Sequence, residues 1–417
     1  MAHLEFAARG EHDCDLMKER STLQPFAPGD VFVGSTVLDG ADDDHAGRGR
    51  ILQFDSQLRR KGVLWLTDTT HLVGGLEFDR EGRLWAFDSQ EFVVLTIARN
   101  GTVTRRDFGR RPFSNVNFAA DGSIYLAEHV AGSSIKAEIQ ARMGTRLVKM
   151  PGTERFGDGH VWHFAADGTL VRELATQVHG GVGGFMGVTM SALSPDESML
   201  VYCSETGPRL MRYDLENARQ LPDLQCLPEG EREMFFAMDY GPQGRLYASR
   251  GNRIDLINAY GRTTCSYFLE GQGWATIRAA ADGQHLYVGN FFSGQLAKMS
   301  LESGEIVASA DTGVERSLAG IAEFPGSTEA QPKRGAPMGR RAPRNRRAAR
   351  KKMAHKKLTR RKLARRKPLR GKPTRRRPTH RKATRRKLAR KVAARRKRSA
   401  RHRPRKRSVR RTLRRKK

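Results

Sequence analysis

Cysteine is scarce in this chain: Cys14, Cys203, Cys226 and Cys265 are the only four among 417 residues, and no two form a CxxC pair. Spacing this wide excludes the paired-ligand zinc sites and the disulfide frameworks of small secreted domains, and suits scattered reduced thiols. Long apolar runs are missing too. None approaches the ~20 residues a membrane-spanning helix requires, so no membrane association is expected. The opening "MAHLEFAARGEHDCD" has neither a basic start nor a long apolar segment. No secretory signal is expected from it, and the predicted location is cytoplasmic. The largest absence is at the other end. From Lys333 to Lys417 there is no Asp, Glu, Phe, Trp or Tyr, against 45 Lys and Arg.

That absence divides the charge. The whole chain is +33, from 77 Lys plus Arg and 44 Asp plus Glu. Setting aside the tail's 45 bases leaves 32 bases and 44 acids before it, a net −12. A block of like charge with few apolar side chains cannot offset its ordering entropy and repels itself. The sequence therefore predicts an N-terminal segment over 1–28, a folded body over 29–326 and a disordered basic tail over 327–417. A body of this length can bury a sizeable core.

The body repeats itself. Five segments share an apolar strand, a turn rich in Asp and Gly, a second apolar strand and a polar stop: "GGLEFDREGRLWAFD" (74–88), "NVNFAADGSIYLAE" (115–128), "SALSPDESMLVYCSE" (191–205), "AMDYGPQGRLYASR" (237–250) and "IRAAADGQHLYVGN" (277–290). Between them lie second hairpins, as in "FVVLTIARNGTVTRR" (92–106) and "QLAKMSLESGEIVAS" (295–309), and there are six of these. Short strands joined by such turns read as hairpins. Two hairpins per unit, repeating at roughly 40–50 residues, predict an all-β fold, a β-propeller. The sixth inner hairpin is split between the termini: "LAGIAEFPG" (318–326) matches its first half and "GDVFVGS" (29–35) its second. The prediction is a six-bladed propeller closed by pairing of N- and C-terminal strands, which removes the exposed sheet edges.

Several stretches invite sharper readings. "HGGVGGFMG" (179–187) lacks the GxGxxG spacing and precedes a strand, so a close backbone approach is expected there and not a dinucleotide loop. "DGADDDHAGRGR" (39–50) lacks the ordered ligand series of a calcium loop and reads as solvated. The long gap at 130–147 is expected to hold a short helix or lid. His129, His160, His163 and His179 have no helical metal spacing, and His160 and His163 straddle a strand, so they face opposite ways. They are expected to be surface or satisfied histidines.

At "ALSPDESMLVYCSETGPRLMRYDLE" (192–216) the body resembles the six-bladed superfamily that includes the senescence marker protein/gluconolactonase group and strictosidine synthase-like proteins, over residues 29–326. In the lactonase branch this resemblance implies a channel cation held by a Glu, two Asn and an Asp, hard oxygen ligands that suit calcium or a similar ion. Those positions fall here on Gly74 (or Ala319), Ser114, Thr189 and Ser204. A slip of one residue restores Asn115 and Glu205 but not the other two. The mismatch disfavours a channel divalent cation, and neither metal nor cofactor is expected. The resemblance also places the ends of the second strands near one mouth of the channel. Ser35, Asp88, Glu128, Ser204, Glu205, Arg250 and Asn290 are therefore candidates for a polar ligand-binding ring, with an unknown small molecule or protein as occupant.

The tail resembles linker-histone and histone-like tails in composition. "TRRKLAR" occurs at 359–365 and again at 384–390. The expected phosphate contacts are Arg360, Arg361, Lys362 and Arg365 in the first copy, and Arg385, Arg386, Lys387 and Arg390 in the second. The run Arg375, Arg376 and Arg377 lies between. Lys and Arg displace condensed counterions from phosphates, which predicts duplex DNA or RNA as partner without base readout. Missing aromatics argue against stacking on single-stranded bases. The leading expectation is a propeller platform tethered to nucleic acid, in a nucleoid or nucleus. The alternatives are a metal-dependent lactonase-type hydrolase and a structural nucleoid or chromatin protein.

Overall fold

The computed structural model describes residues 20–40, 46–132, 152–179, 184–204, 206–228 and 234–326. The tail, with its expected disorder, lies outside the described residues, as do most of 130–147, the acidic 41–45 and Gly180–Gly183. Contacts divide the chain into residues 1–340 and 341–417, and the described residues all belong to the first.

Six sheets of antiparallel strands follow one another along the chain. Blade 1 holds β1 (Val31–Leu38), β2 (Gly47–Phe54) and β3 (Arg60–Trp65), and its inner place is filled by the last strand, β25 (Gly320–Glu323). Blade 2 is β4 (Gly74–Phe78), β5 (Leu84–Asp88), β6 (Val93–Ile97) and β7 (Val103–Arg106). Blade 3 is β8 (Phe113–Phe118), β9 (Ile124–Ala131), β10 (Val161–Phe164) and β11 (Leu170–Leu174), with a one-turn helix, α1 (Thr153–Phe156), before β10. A short β12 (Phe185–Gly187) pairs with the far end of β9. Blade 4 is β13 (Met190–Leu193), β14 (Met199–Cys203), β15 (Arg209–Asp214) and β16 (Arg219–Cys226). Blade 5 is β17 (Met238–Tyr240), β18 (Leu246–Ser249), β19 (Arg253–Ile257) and β20 (Thr263–Phe268). Blade 6 is β21 (Trp274–Ala279), β22 (His285–Asn290), β23 (Gln295–Ser300) and β24 (Ile306–Asp311). The chain is a six-bladed β-propeller.

The turn between first and second strands shows why the sequence repeats. In blade 2 the Asp79 amide donates to Arg83 and the Gly82 amide to Asp79, with Gly82 at φ 73°. Gly122, Gly244 and Gly283 hold the same left-handed place in blades 3, 5 and 6, which glycine enters without steric cost. Blade 4 has Glu197 there at φ 58°, and its Oε1 accepts the Ala120 amide of the neighbouring blade at 2.6 Å.

Closure is as expected from the split hairpin. β1 pairs with β25 in the register Val31↔Glu323, Phe32↔Ala322, Val33↔Ile321 and Gly34↔Gly320. The closing blade sits tightly on blade 2: a Cβ at Gly34 would stand 2.0 Å from the Val73 carbonyl oxygen. Core packing begins before residue 29. Phe26 is 2% exposed, its ring 4.5 Å from Phe32, 5.8 Å from Phe78 and 5.7 Å from Phe324. Just upstream, the Thr22 amide donates to Val63, and Ser21 Oγ accepts the Trp65 amide, so this segment runs along the outer strand of blade 1. Gly34→Ala should destabilise the propeller by about 1–3 kcal/mol, because the added methyl meets backbone and not a flexible side chain. Urea unfolding with an unchanged m-value checks it.

Candidate functional site

Ser35, Asp88, Glu128, Ser204, Arg250 and Asn290 lie within or at the end of the second strands, and each contacts the loop leading into the first strand of its own blade. Asp88 Oδ2 accepts the amides of Thr70 at 2.9 Å and His71 at 3.0 Å, while Oδ1 accepts those of Gln90 and Glu91 at 3.1 and 3.2 Å. Asn290 donates to the Gln272 carbonyl and accepts from Phe292 and Ser293. Glu128 accepts the His160 amide and pairs with the Arg111 guanidinium. Ser204 Oγ accepts the His179 amide at 3.0 Å, and Ser35 Oγ meets Ser317 Oγ at 3.2 Å. Arg250 pairs with Asp255 at 3.1 Å and stands 4.7 Å over the Phe235 ring. All six are buried, and none lines the axial cavity. Polar strand ends that looked like a ligand ring thus act as six loop staples. Glu205 lies outside the described residues.

The axial cavity is lined by all six first strands and holds about 40 Å³. At the ~10–15 Å³ a water needs, it has room for a few waters and for no organic substrate. Its charge centres on Arg278. From blade 6 this guanidinium donates to the Ile321 carbonyl of blade 1 at 3.4 Å and to the Leu76 carbonyl of blade 2 at 3.1 Å. It also pairs with Glu77 of blade 2 at 2.6 Å and lies 3.6 Å from Asp239 of blade 5. Burial pulls the Arg278 pKa down, but the carboxylates of Glu77 and Asp239 outweigh it and hold it above its ordinary value. On the opposite wall Ser191 Oγ donates to Asn115 Oδ1 and Asn117 Nδ2 donates to Ser191 Oγ, both at 2.7 Å. The sequence carried a signal for these residues that went unread: a charged or amide side chain inside strands otherwise read as innermost, in "GLEF", "NVNF", "MDY" and "IRA".

The metal positions implied by the lactonase resemblance do not fit a cation. Gly74 offers no side-chain donor, the Asn115 amide oxygen already accepts Ser191, and its nitrogen donates to the Val188 and Thr189 carbonyls. Among the described residues no group of three or more His, Cys, Asp or Glu is placed to hold a metal ion. The histidines stand apart. His160 Nδ1 pairs with Glu173, while the His163 ring stacks on Tyr125 at 4.5 Å with both nitrogens buried and unbonded. His163 is therefore neither surface nor satisfied; burial, with Arg172 nearby, lowers its pKa.

Another cluster escaped sequence reading. At the rim of blades 2 and 3, guanidiniums of Arg110, Arg111 and Arg155 pack on the rings of Phe92, Phe156 and Trp162. Five of the six come from three separate connections and Trp162 from β10, and nothing in their local spacing brings them together.

No protein-family model and no curated protein matches the sequence. Among solved structures, the chain is similar to one in the crystal structure of a nidogen/laminin complex, at 13% identity over 71% of this chain and 98% of that one, TM-score 0.49. It is similar to a streptogramin B lyase at 14% identity over 70% and 91%, TM-score 0.43. A catalytically inactive virginiamycin B lyase from Staphylococcus aureus with quinupristin is similar at 13% identity over 69% and 92%, TM-score 0.42. At such identities nothing of their chemistry passes to this chain.

Two measurements probe this site. Arg278→Met leaves Glu77 and Asp239 without their shared cation and should cost about 2–4 kcal/mol in urea unfolding, somewhat below a fully buried pair because the three side chains keep 17–29% exposure. Burial pushes the Asp88 carboxyl up to about 6, against the backbone amides that favour its charge. Raised above its unfolded value of 3.8, it binds the extra proton in the folded state, so its contribution is full below that value and is lost as pH rises through about 6. The stability of the wild type minus that of Asp88→Asn should therefore fall by about 2–3 kcal/mol between those pH values and stay flat on either side.

Proposed function

We propose that the protein is a propeller platform held on nucleic acid by its basic tail. The observation that carries this reading is the 45 Lys and Arg, with no acid, between Lys333 and Lys417. Such density next to phosphates releases counterions and binds without regard to sequence. No aromatic interrupts the tail, and Pro368, Pro373, Pro378 and Pro404 forbid one long helix, so duplex backbone is the partner and base edges are not read. The body, at net −12, is repelled by the same phosphates. It is held near the duplex by its connection to the tail, and presents its faces to other molecules. Association with nucleic acid places the protein in a nucleoid or nucleus. Among the described residues no helix is long and apolar enough to cross a membrane.

The full chain and a chain ending at Gly326 are compared for duplex binding across a salt series. The full chain should bind with affinity falling steeply with salt, and the shortened chain should not bind. Deleting residues 359–365, with four bases, should flatten the log–log salt slope by up to about 3–4, at roughly 0.9 per phosphate contact. Equal binding by both chains would refute the reading.

A further inference from the structure

The rim cluster of blades 2 and 3 concentrates chemistry that the closed axis does not offer. Three connections converge there: the turn after β5, which carries Phe92; the loop before β8, which carries Arg110 and Arg111; and α1, which carries Arg155 and Phe156. The Arg110 guanidinium stands 5.2 Å from the centre of the Phe92 ring, and Arg155 stands 5.8 Å from the same ring and 5.0 Å from Phe156. The two rings are 5.6 Å apart. Five of these guanidinium–ring contacts lie on this one rim.

The charges in the cluster are unevenly matched. Arg111 is neutralised by the buried Glu128. Arg110 and Arg155 are exposed and form no ion pair with the described residues. The neighbouring acids are engaged elsewhere: Glu91 accepts the Thr70 hydroxyl at 2.7 Å, and the Glu154 carboxylate lies against Gly152. Two like charges share one phenyl ring, an arrangement an anion between them relieves. Phe92 itself is held at φ 56°, costly for a bulky side chain, and the Asp88 staple fixes the turn that imposes it. The Trp162 ring centre lies 4.0 Å from the Arg111 guanidinium, and its indole N–H is buried without an acceptor.

We infer that this rim binds a nucleoside phosphate: the phosphate meets the exposed guanidiniums of Arg110 and Arg155, and the base stacks on the guanidinium planes that cover the half-buried Phe92 and Phe156 rings. Arginine planes and phenylalanine rings are the surfaces on which unstacked bases settle, and guanidinium edges match phosphate oxygens. The chemistry is the same for a free nucleotide and for an unpaired nucleotide of a polymer. The site is independent of the tail, which recognises charge alone.

The test uses the full chain, since wild type and variant then share the same tail. Titration calorimetry with adenosine monophosphate compares wild type with Arg110→Gln/Arg155→Gln, and with Arg245→Gln/Arg262→Gln, an equal charge change at exposed arginines of blade 5. The rim variant should bind at least tenfold more weakly and the blade 5 variant should match wild type. Inorganic phosphate and adenosine should each bind wild type at least tenfold more weakly than the nucleotide. Equal affinity for nucleotide and phosphate would reduce the rim to an anion patch and overturn the inference, as would a rim variant that binds like wild type. An advantage of a duplex with a single-stranded overhang over a blunt one, lost in the rim variant, assigns the polymer as source; its absence beside the nucleotide effect assigns the free nucleotide. Melting temperatures of the exposed-residue variants should stay within 2–3 °C of wild type, as for ordinary surface changes. Loss of duplex binding by the full chain would sink the tail reading and leave this one standing.

Discussion

A ring of six sheets has to bring six inner strands to one axis, and here a single guanidinium lies where they meet. Arg278 starts on blade 6, donates to backbone carbonyls of blades 1 and 2, and faces carboxylates of blades 2 and 5. A rigid planar fork with five N–H donors suits such divergent partners, as a lysine would not.

The six staples make the faces of the propeller firm. Each uses a polar residue of a second strand to hold the loop entering the first strand, five by hydrogen bonds or an ion pair and Arg250 by its contact with the Phe235 ring, so that loops, usually the mobile parts of a fold, are fastened. Asp88 shows the consequence. By gathering four amides it sets the turn that carries Phe92 into its costly conformation, and that ring is shared by Arg110 and Arg155. The staple and the rim cluster are one construction, in which a buried carboxylate positions a half-buried aromatic.

The two parts of the chain differ in how they would hold an anion. On the proposed reading the tail would work by charge density, need no fixed geometry and weaken with salt. The rim would work with two guanidiniums and two rings, where orientation decides what fits.

Much of the fold was legible because its determinants are local. A turn that needs a left-handed residue at Gly82, Gly122, Gly244 and Gly283, between runs of period two, is visible in one dimension, and counting the hairpins gives six blades and the shared strand at the termini. The tail's charge is likewise a property of composition. The site was not legible. Asp88, Glu128 and Asn290 were read as ligand-facing because a polar residue at a strand end is equally compatible with water, ligand or its own loop. Only the path of the preceding loop settles which. Glu77, Asp239 and Arg278 lie in three blades, more than 200 residues apart at the extremes, and Phe92, Arg110 and Arg155 come from three connections. Sequence determined which strands form, where they turn and how charge is divided. Closure of the ring decided which polar atoms face one another, since a hydrogen bond depends on ångström-scale approach that no local pattern encodes.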